Sequence, residues 1–161
     1  MARQFLLAIV FLALVSIGYA QPQPGTKAPD IALPNLNGEV LKLSSLQGKV
    51  VVLDFWASWC GPCRQSNKQL RTLYKKYKDK GLEIYSVSID ANERAWKWAV
   101  QQDKITWLQV NDKEATKGNE MMQAYGVRYI PSTFVLDKDG TVLAINPEHD
   151  ELEKLMKKLL Q

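Results

Sequence analysis

The chain has 161 residues, of which 46% are apolar and 24% charged, which is typical of one globular domain with its own hydrophobic core. Lysine and arginine number 21 against 17 aspartate and glutamate, which gives a formal net charge of +4. So small and dispersed an excess argues against a nucleic-acid-binding protein, and we expect no nucleic-acid partner.

The first twenty residues have the pattern of an export signal. Arg3 supplies a positive charge, residues 5–17 are apolar, and residues 18–20 place small side chains at the cleavage-determining positions. We predict that residues 1–20 are a signal peptide and that the mature chain begins at Gln21, in the periplasm or another extracytoplasmic space. The apolar run is short of the about 20 residues of a membrane span. An uncleaved signal that acts as an anchor is the alternative, and only then would the protein bind a membrane.

Residues 21–34 are rich in proline and polar side chains, so we predict an extended lead-in that is not a domain. The domain itself is predicted to cover residues 35–161. Asn37-Gly38 is a turn signal, and the flanking residues 33–36 and 40–43 are expected to pair as a small β-ribbon.

A strand, a tight turn and a helix are predicted next. Residues 50–55 are almost continuously apolar, as in a central strand that is covered on both faces. From Cys63 onward, apolar side chains recur at helical spacing until Gly81, a C-terminal cap. Residues 82–89 are the next strand, which makes a parallel unit with a right-handed crossover.

The rest of the chain alternates helices and strands. We predict helices over 93–102 and 119–125 and a short strand over 105–110. Asp139-Gly140 is a hairpin turn that joins strands at 133–136 and 141–145. Asn146-Pro147 is predicted to cap and begin a last helix.

The two cysteines form a C-x-x-C pair, Cys60 and Cys63, at the predicted start of a helix. One helical turn separates them, so both sulfurs point to the same side. Gly61 and Pro62 suit this turn, since glycine tolerates close backbone approach and proline is accepted in a first helical turn. Cys60 is expected to face free backbone N–H groups, which favours the thiolate and makes it the nucleophile. Cys63, on the inward stripe, is expected to resolve the mixed disulfide.

Three other kinds of site fit the two cysteines less well. A zinc site needs four ligands, but the chain adds only His149, expected to be an exposed first-turn residue, so we predict no metal and no cofactor. A purely structural disulfide remains possible, although so short a loop stabilises little. A peroxidase of the peroxiredoxin type would carry Thr three residues before its reactive cysteine, where this chain has Ala57.

Two segments carry a family resemblance. Residues 54–63, Asp-Phe-Trp-Ala-Ser-Trp-Cys-Gly-Pro-Cys, are similar to the active-site strand and turn of thioredoxin. Residues 125–134, Tyr-Gly-Val-Arg-Tyr-Ile-Pro-Ser-Thr-Phe, resemble its second signature, whose proline peptide is cis and lies beside the cysteines. The export signal, the lead-in and the extra helix and strand between Asp90 and Asn119 look more like the TlpA and ResA branch of exported oxidoreductases.

The resemblance covers the chain from about Thr26 to its end and implies a fold and a function. The fold is α/β and thioredoxin-like: a central mixed sheet flanked by helices, with an N-terminal β-ribbon and a helix and strand inserted after the second core strand. The activity is thiol-disulfide exchange, with disulfide-containing exported proteins as substrates and a membrane-bound electron donor, and we expect a monomer. Apocytochrome c reduction, known in that branch, is a narrower possibility that no residue selects. A non-catalytic binding module with the same fold is the alternative from another class.

The resemblance also implies roles around the cysteines. Trp59, with Gly61 and Pro62, would contact substrate, and Ile130 and Pro131 would present backbone to an extended substrate segment. Trp56 would either wall the site or pack in the core as structural support.

Asp54 is a carboxyl in an apolar strand, which is costly to bury unless it is paired or neutral. By resemblance it assists proton transfer at Cys63, and a hydrogen-bonded structural role is the alternative. Ser86 stands where thioredoxin has Lys, Ser66 where the ResA branch often has Glu, and Lys68 where the helix-kinking Pro is usual. The acid machinery is therefore expected to reduce to Asp54, on a straighter helix.

Overall fold

The computed structural model of this chain describes residues 21–115 and 120–161. The predicted signal peptide lies outside these residues, as does Asn119, the expected first residue of a helix. Within the described ranges, no helix combines the length and the apolar character that crossing a membrane requires.

Two sheets are present among the described residues. A small antiparallel ribbon pairs β1 (Ala32–Pro34) with β2 (Val40–Lys42), as the Asn37-Gly38 turn predicts. The central sheet contains β3 (Val50–Trp56), β4 (Leu82–Ser88), β5 (Leu108–Asn111), β6 (Ser132–Leu136) and β7 (Val142–Ile145). Its spatial order is β5-β4-β3-β6-β7; the first three strands are parallel, and β6 and β7 run antiparallel to their neighbours. The sheet is therefore mixed, as expected.

Helices cover both faces of this sheet. They are α1 (Gly61–Tyr77), α2 (Glu93–Gln102), α3 (Glu120–Ala124) and α4 (His149–Leu159). The buried residues of α1, α2 and α4 share one core cluster with both cysteines, while α3 and the ribbon pack on the opposite face. Both β3 and β4 are buried along their whole length because each has a layer on either side. The thioredoxin-like fold is confirmed.

Two elements begin two or more residues later than predicted. The strand expected at 105–110 begins only at Leu108, because Ile105 and Trp107 are buried in the helical layer instead of pairing in the sheet. The last helix begins at His149, capped by Glu148 in a capping box with Glu151, so the predicted start at Asn146-Pro147 is wrong by two residues.

The remaining helix boundaries agree with the pattern. α1 runs without interruption past Lys68, and a 3-10 turn (Lys78–Lys80) follows before Gly81 closes the segment at φ 104°. That positive φ is the reason for glycine at this position. His149 is exposed, as expected.

The lead-in is bonded to the edge of the central sheet. Gly25 N–H donates to the carbonyl of Val142 at 2.8 Å, and Val142 N–H donates back to Thr26 at 2.8 Å. Ile31 is buried in the same cluster as the ribbon, and the Tyr125 hydroxyl donates to the carbonyl of Pro29. The predicted lead-in therefore contains a turn at Pro24-Gly25, a contact with the edge strand β7 and, at residues 32–34, the first strand of the ribbon.

Candidate active site

The two cysteines lie where β3 gives way to α1, and they form a disulfide with 5.2 Å between the Cα atoms. Cys60 is the N-cap of α1, and the backbone N–H of Cys63 donates to Cys60 Sγ at 3.2 Å. The Cys60 residue is 6% exposed and Cys63 only 1%. A negative charge on Cys60 would therefore meet a helix N-terminus, whereas Cys63 is shielded from solvent.

A tight turn over residues 57–60 delivers Cys60 to this position. The N–H of Cys60 donates to the carbonyl of Ala57 at 3.1 Å. Ala57 is buried, and its side chain has no hydroxyl that could form a hydrogen bond. Trp59, in the turn, projects outward and is 66% exposed. Gly61 is also exposed, and a Cβ built on it would meet no atom of the described residues within 4 Å, so no contact among them requires glycine here. The face around Cys60 is open to a partner.

The loop before β6 lies next to the sulfur of Cys60. The peptide bond between Ile130 and Pro131 is cis, and the Ile130 carbonyl oxygen lies 3.9 Å from Cys60 Sγ. Tyr129, just before it, is 66% exposed. The structure thus brings together the C-x-x-C turn and the second signature, which are about 70 residues apart in the chain.

Asp54 lies in the middle of β3, and its residue is 1% exposed. Side chains alternate along a strand, so Asp54 shares a face with Val52 and Trp56. Both of these belong to the core cluster that contains the cysteines. The carboxyl is therefore on the α1 side of the sheet.

Two hydroxyls flank this carboxyl, one from each neighbouring strand. Ser86 Oγ donates to Asp54 Oδ2 at 3.5 Å, and Thr133 Oγ1 donates to Asp54 Oδ1 at 3.4 Å. Both residues are the cross-strand partners of Asp54 in β4 and β6. Trp107 in turn donates its indole N–H to Ser86 Oγ at 2.8 Å. The sequence suggested that Asp54 would be the only polar group here, because Ser86 stands where thioredoxin has Lys. In the structure Ser86 is a hydrogen-bond donor to Asp54.

Burial controls the protonation of Asp54. Removal from water raises its pKa from 3.8 to about 7, and the hydrogen bonds from Thr133 and Ser86 oppose that rise. A carboxyl with a pKa near 7 can accept and return a proton at neutral pH, which is the property that a general acid and base needs.

Trp56 is a core residue. It is fully buried, and its indole N–H donates to Gln109 Oε1 at 3.1 Å. Of the two interpretations left open by the sequence, the geometry favours packing beneath the cysteines over direct contact with a substrate.

Several residues near the cysteines were missed by sequence reasoning. Asp90 and Arg64 bond Ser58 in the turn before Cys60, and Asp103 bonds Arg64; in the sequence each of the three is an ordinary charged residue. Only the fold brings them together. Tyr129 and Thr133 lie within the second signature and could have been found from their adjacency to Ile130 and Pro131.

Proteins with similar sequences are named for the chemistry that a pair of cysteines of this kind performs. Residues 24–145 match the AhpC/TSA family. A protein named thiol-disulfide oxidoreductase ResA from Bacillus thuringiensis subsp. konkukian is 36% identical over 138 residues, which cover 84% of this chain and 78% of that protein. The protein of the same name from Geobacillus kaustophilus is 32% identical over 148 residues, covering 86% and 83%.

Solved structures with a similar fold are also named as thiol-disulfide oxidoreductases. The thioredoxin domain of a thiol-disulfide oxidoreductase from Bacteroides vulgatus superposes with a TM-score of 0.80 at 33% identity, covering 86% of this chain and 99% of that one. A thiol-disulfide oxidoreductase from Bacteroides fragilis gives 0.78 at 33% identity, with 84% and 100% covered. The chain belongs to the AhpC/TSA family of thioredoxin-like proteins and is a thiol-disulfide oxidoreductase.

Proposed function

We propose that this oxidoreductase reduces disulfides in exported proteins, with Cys60 as nucleophile, Cys63 as resolving thiol and Asp54 as the proton acceptor and donor for Cys63. The observation that carries the proposal is the asymmetry of the pair. Cys60 Sγ receives the N–H of Cys63 at the start of α1, while Cys63 itself is buried. A thiolate is stabilised at the first position and disfavoured at the second.

The first half-reaction begins from the reduced dithiol. The Cys60 thiolate attacks one sulfur of the substrate disulfide, the substrate S–S bond breaks, and its other sulfur leaves as a thiolate that takes a proton from water. The product is a mixed disulfide between Cys60 and the substrate.

The second half-reaction needs a proton acceptor inside the protein. Asp54 takes the proton of Cys63, the Cys63 thiolate attacks Cys60 Sγ, and the bond between Cys60 and the substrate breaks. The second sulfur of the substrate leaves as a thiolate that takes a proton from water. The substrate has gained two electrons and the enzyme holds the Cys60–Cys63 disulfide. A dithiol donor, which we propose to be membrane-bound, restores the reduced pair, and Asp54 then returns the proton.

Exposed surface beside Cys60 would bind the substrate. Trp59 and Pro62 offer apolar area on one side, and the loop at Ile130 and Pro131 offers backbone on the other. An extended segment that carries the substrate disulfide can pair with such backbone. Tyr129, exposed next to this loop, adds apolar surface that sequence reasoning did not assign.

Insulin reduction with dithiothreitol tests the activity. We expect the wild type to accelerate precipitation of the reduced chains, and Cys60→Ser and Cys63→Ser each to abolish turnover. Circular dichroism of both variants is the folding control. Turnover that survives loss of both cysteines, or its absence in the wild type, would instead favour a binding module in which the disulfide is only a latch.

The direction of electron flow is tested separately. Equilibration with glutathione measures the reduction potential of the pair. A potential near that of thioredoxin, about −270 mV, supports a reductase, whereas one near that of DsbA, about −120 mV, contradicts it.

We propose an extracytoplasmic site of action because the dithiol would meet disulfide-containing proteins there. Supporting this, residues 1–20 have the charge and hydropathy pattern of an export signal. Fusion of these residues to a reporter that is active only after export tests the proposal. N-terminal sequencing of the mature protein decides between cleavage before Gln21 and retention as an anchor.

A further inference from the structure

Ser58, in the turn that presents Cys60, has all of its polar groups bonded. Its N–H donates to Asp90 Oδ2 at 2.8 Å, and its hydroxyl donates to Asp90 Oδ1 at 2.6 Å. Its carbonyl accepts a hydrogen bond from Arg64 Nη1 at 3.2 Å. One serine is thus held from two sides by two charged side chains that lie on different elements.

On the sheet side, Asp90 is itself rigidly placed just after β4. The residue is 2% exposed, and Ser88 Oγ donates to its Oδ2 at 2.7 Å. The amide of Asn111 donates to the Asp90 carbonyl at 2.9 Å and also bonds Ser88. Buried carboxylates are costly unless their oxygens are satisfied, and here both oxygens of Asp90 are.

On the helix side, Arg64 is fixed by Asp103, the residue that follows α2. Arg64 Nε and Nη2 donate to its two carboxylate oxygens at 2.5 and 2.7 Å. Asp103 is held in turn by the Asn67 amide at 2.9 Å and, through its carbonyl, by Arg71 at 2.9 Å. The guanidinium also lies 5.6 Å from the ring centre of Trp98. An arginine that bonds both oxygens of a carboxylate is held in one orientation, so Arg64 can fix the position of the group it bonds.

We propose that Asp90 and Arg64 are positioning residues of the redox reaction, which hold the turn through Ser58 so that Cys60 Sγ stays on the N–H of Cys63. The inference rests on the proposed function in one respect: Cys60 must be the nucleophile. It adds two residues, neither of which touches the sulfur, to the machinery that sets the reactivity of this cysteine.

The physical reason concerns the middle of the turn, since Ala57 and Cys60 at its ends are already buried. Within residues 57–60 the backbone bond from Cys60 to Ala57 closes a single turn, which alone is marginal in water. The Trp59 side chain is largely exposed and contributes little packing. If Ser58 is released, the turn samples other conformations, and the Cys60 thiolate spends less time on its N–H donor. The fraction of thiolate at neutral pH then falls, and attack slows.

The experiment must distinguish an effect of holding the turn in place from an effect of charge on Cys60, because charged side chains approach this region from several elements. They are Asp90 after β4, Arg64 on α1, Asp103 after α2 and the buried Asp54 on β3. Arg64→Lys keeps the positive charge but cannot bond Ser58 and both oxygens of Asp103 at once. A positioning role predicts that Arg64→Lys behaves like Arg64→Gln, and an effect of charge alone predicts that lysine restores the wild-type behaviour.

The experiment uses a Cys63→Ser background, in which Cys60 is the single thiol and the backbone N–H at position 63 is retained. The rate of alkylation by iodoacetamide is measured across pH, which reports the thiolate fraction of Cys60 directly. We expect Asp90→Asn and both Arg64 variants to raise the apparent pKa of Cys60 and to slow alkylation at pH 7 by roughly threefold or more. Ser58→Ala, which removes only the hydroxyl bond, should change both in the same direction by less.

Glu83→Gln is the matched control. Glu83 is another buried carboxylate of β4, but at the opposite end, where it accepts from Lys49 Nζ at 3.2 Å and the Tyr74 hydroxyl at 3.0 Å. Its replacement should cost stability in thermal melts and leave the alkylation profile unchanged. Profiles of the Asp90 and Arg64 variants that match the parent, or a Glu83 variant that shifts equally, would overturn the inference. If Cys60 of the parent is no more reactive than a free thiol, the proposed nucleophile is wrong instead.

Discussion

Thr133 donates its hydroxyl hydrogen to the buried carboxyl of Asp54 at 3.4 Å, across the antiparallel pair of β6 and β3. The second donor, Ser86, is also a neutral hydroxyl. Neither partner supplies a positive charge, so burial outweighs both and the carboxyl is poised to gain and lose a proton near neutral pH.

The contribution of Asp54 to the stability of the fold should fall as pH rises from about 4 to about 7. The pKa of Asp54 is about 7 in the folded chain and 3.8 ordinarily, so between these values the native state holds a proton that the unfolded state has lost. Raising the pH therefore favours unfolding, by at most about 1.4 kcal/mol per pH unit from this group. Urea denaturation of wild type and Asp54→Asn across this range isolates the contribution. The stability of the variant relative to wild type should rise by on the order of a few kcal/mol between pH 4 and pH 8. A difference that does not change with pH would contradict the raised pKa of Asp54.

Asp54→Asn should also slow one half-reaction and spare the other. The amide keeps the shape and the hydroxyl partners but cannot exchange a proton with Cys63. We expect resolution by Cys63 to slow by about 10²-fold or more, while the first attack by Cys60 stays nearly unchanged. Stopped-flow fluorescence with a disulfide peptide separates the two rates. Unchanged resolution together with a destabilised fold would mean that Asp54 is structural.

Thr133→Val should raise the pKa of Asp54 further. Valine has nearly the shape of threonine but cannot donate to the carboxyl, and the Thr133 hydrogen bond is the larger of the two that lower this pKa. NMR titration of a side-chain-labelled aspartate measures the shift. Thr72→Val is the control, because its hydroxyl bonds only the Lys68 carbonyl on the exposed side of α1. An unshifted or lowered pKa in Thr133→Val would contradict the assignment.

Cys63→Ser should trap substrates and Cys60→Ser should not. Serine at position 63 leaves Cys60 able to attack but removes the thiol that releases the product, so mixed disulfides accumulate. Affinity purification under alkylating conditions, followed by mass spectrometry with and without reductant, identifies the trapped proteins. The reverse result, with partners trapped only by Cys60→Ser, would invert the order of attack.

Replacing Trp56 should lower the stability of the fold, whereas replacing Trp59 should weaken the binding of substrate. Trp56→Phe loses the bond to Gln109, whose amide nitrogen already has no partner among the described residues, and it leaves a gap in the core. We expect it to lower the free energy of unfolding by roughly 2–4 kcal/mol.

Trp59→Ala removes a side chain that is mostly in water, so its stability should change by less than about 1 kcal/mol. Its KM for a protein disulfide should rise severalfold, because apolar surface beside Cys60 is lost. Thermal melts and insulin-reduction kinetics on both variants measure the two effects. A large stability loss in Trp59→Ala, or an unchanged KM, would contradict its proposed role.

Local sequence patterns were sufficient to predict the elements that hold the cysteines. A continuous apolar run predicted β3, helical spacing from Cys63 predicted the buried stripe of α1, and Asp139-Gly140 predicted the last hairpin. Each of these signals depends on residues that are near one another in the chain. The start of α4 was misplaced because the prediction relied on the proline after Asn146, whereas the capping box of Glu148 and Glu151, an equally local signal, decides the boundary.

The residues themselves determined that one C-x-x-C pair lies at a helix start, that Cys60 precedes the helix and that Asp54 sits in an apolar strand. Only the tertiary structure decided which groups these residues meet. Ser86 and Thr133 reach Asp54 because strand register places them opposite it, and Asp90 and Arg64 meet at Ser58 because β4 ends where α1 begins. Hydrogen bonds between distant parts of a chain follow from register and packing, which no local pattern of side chains encodes.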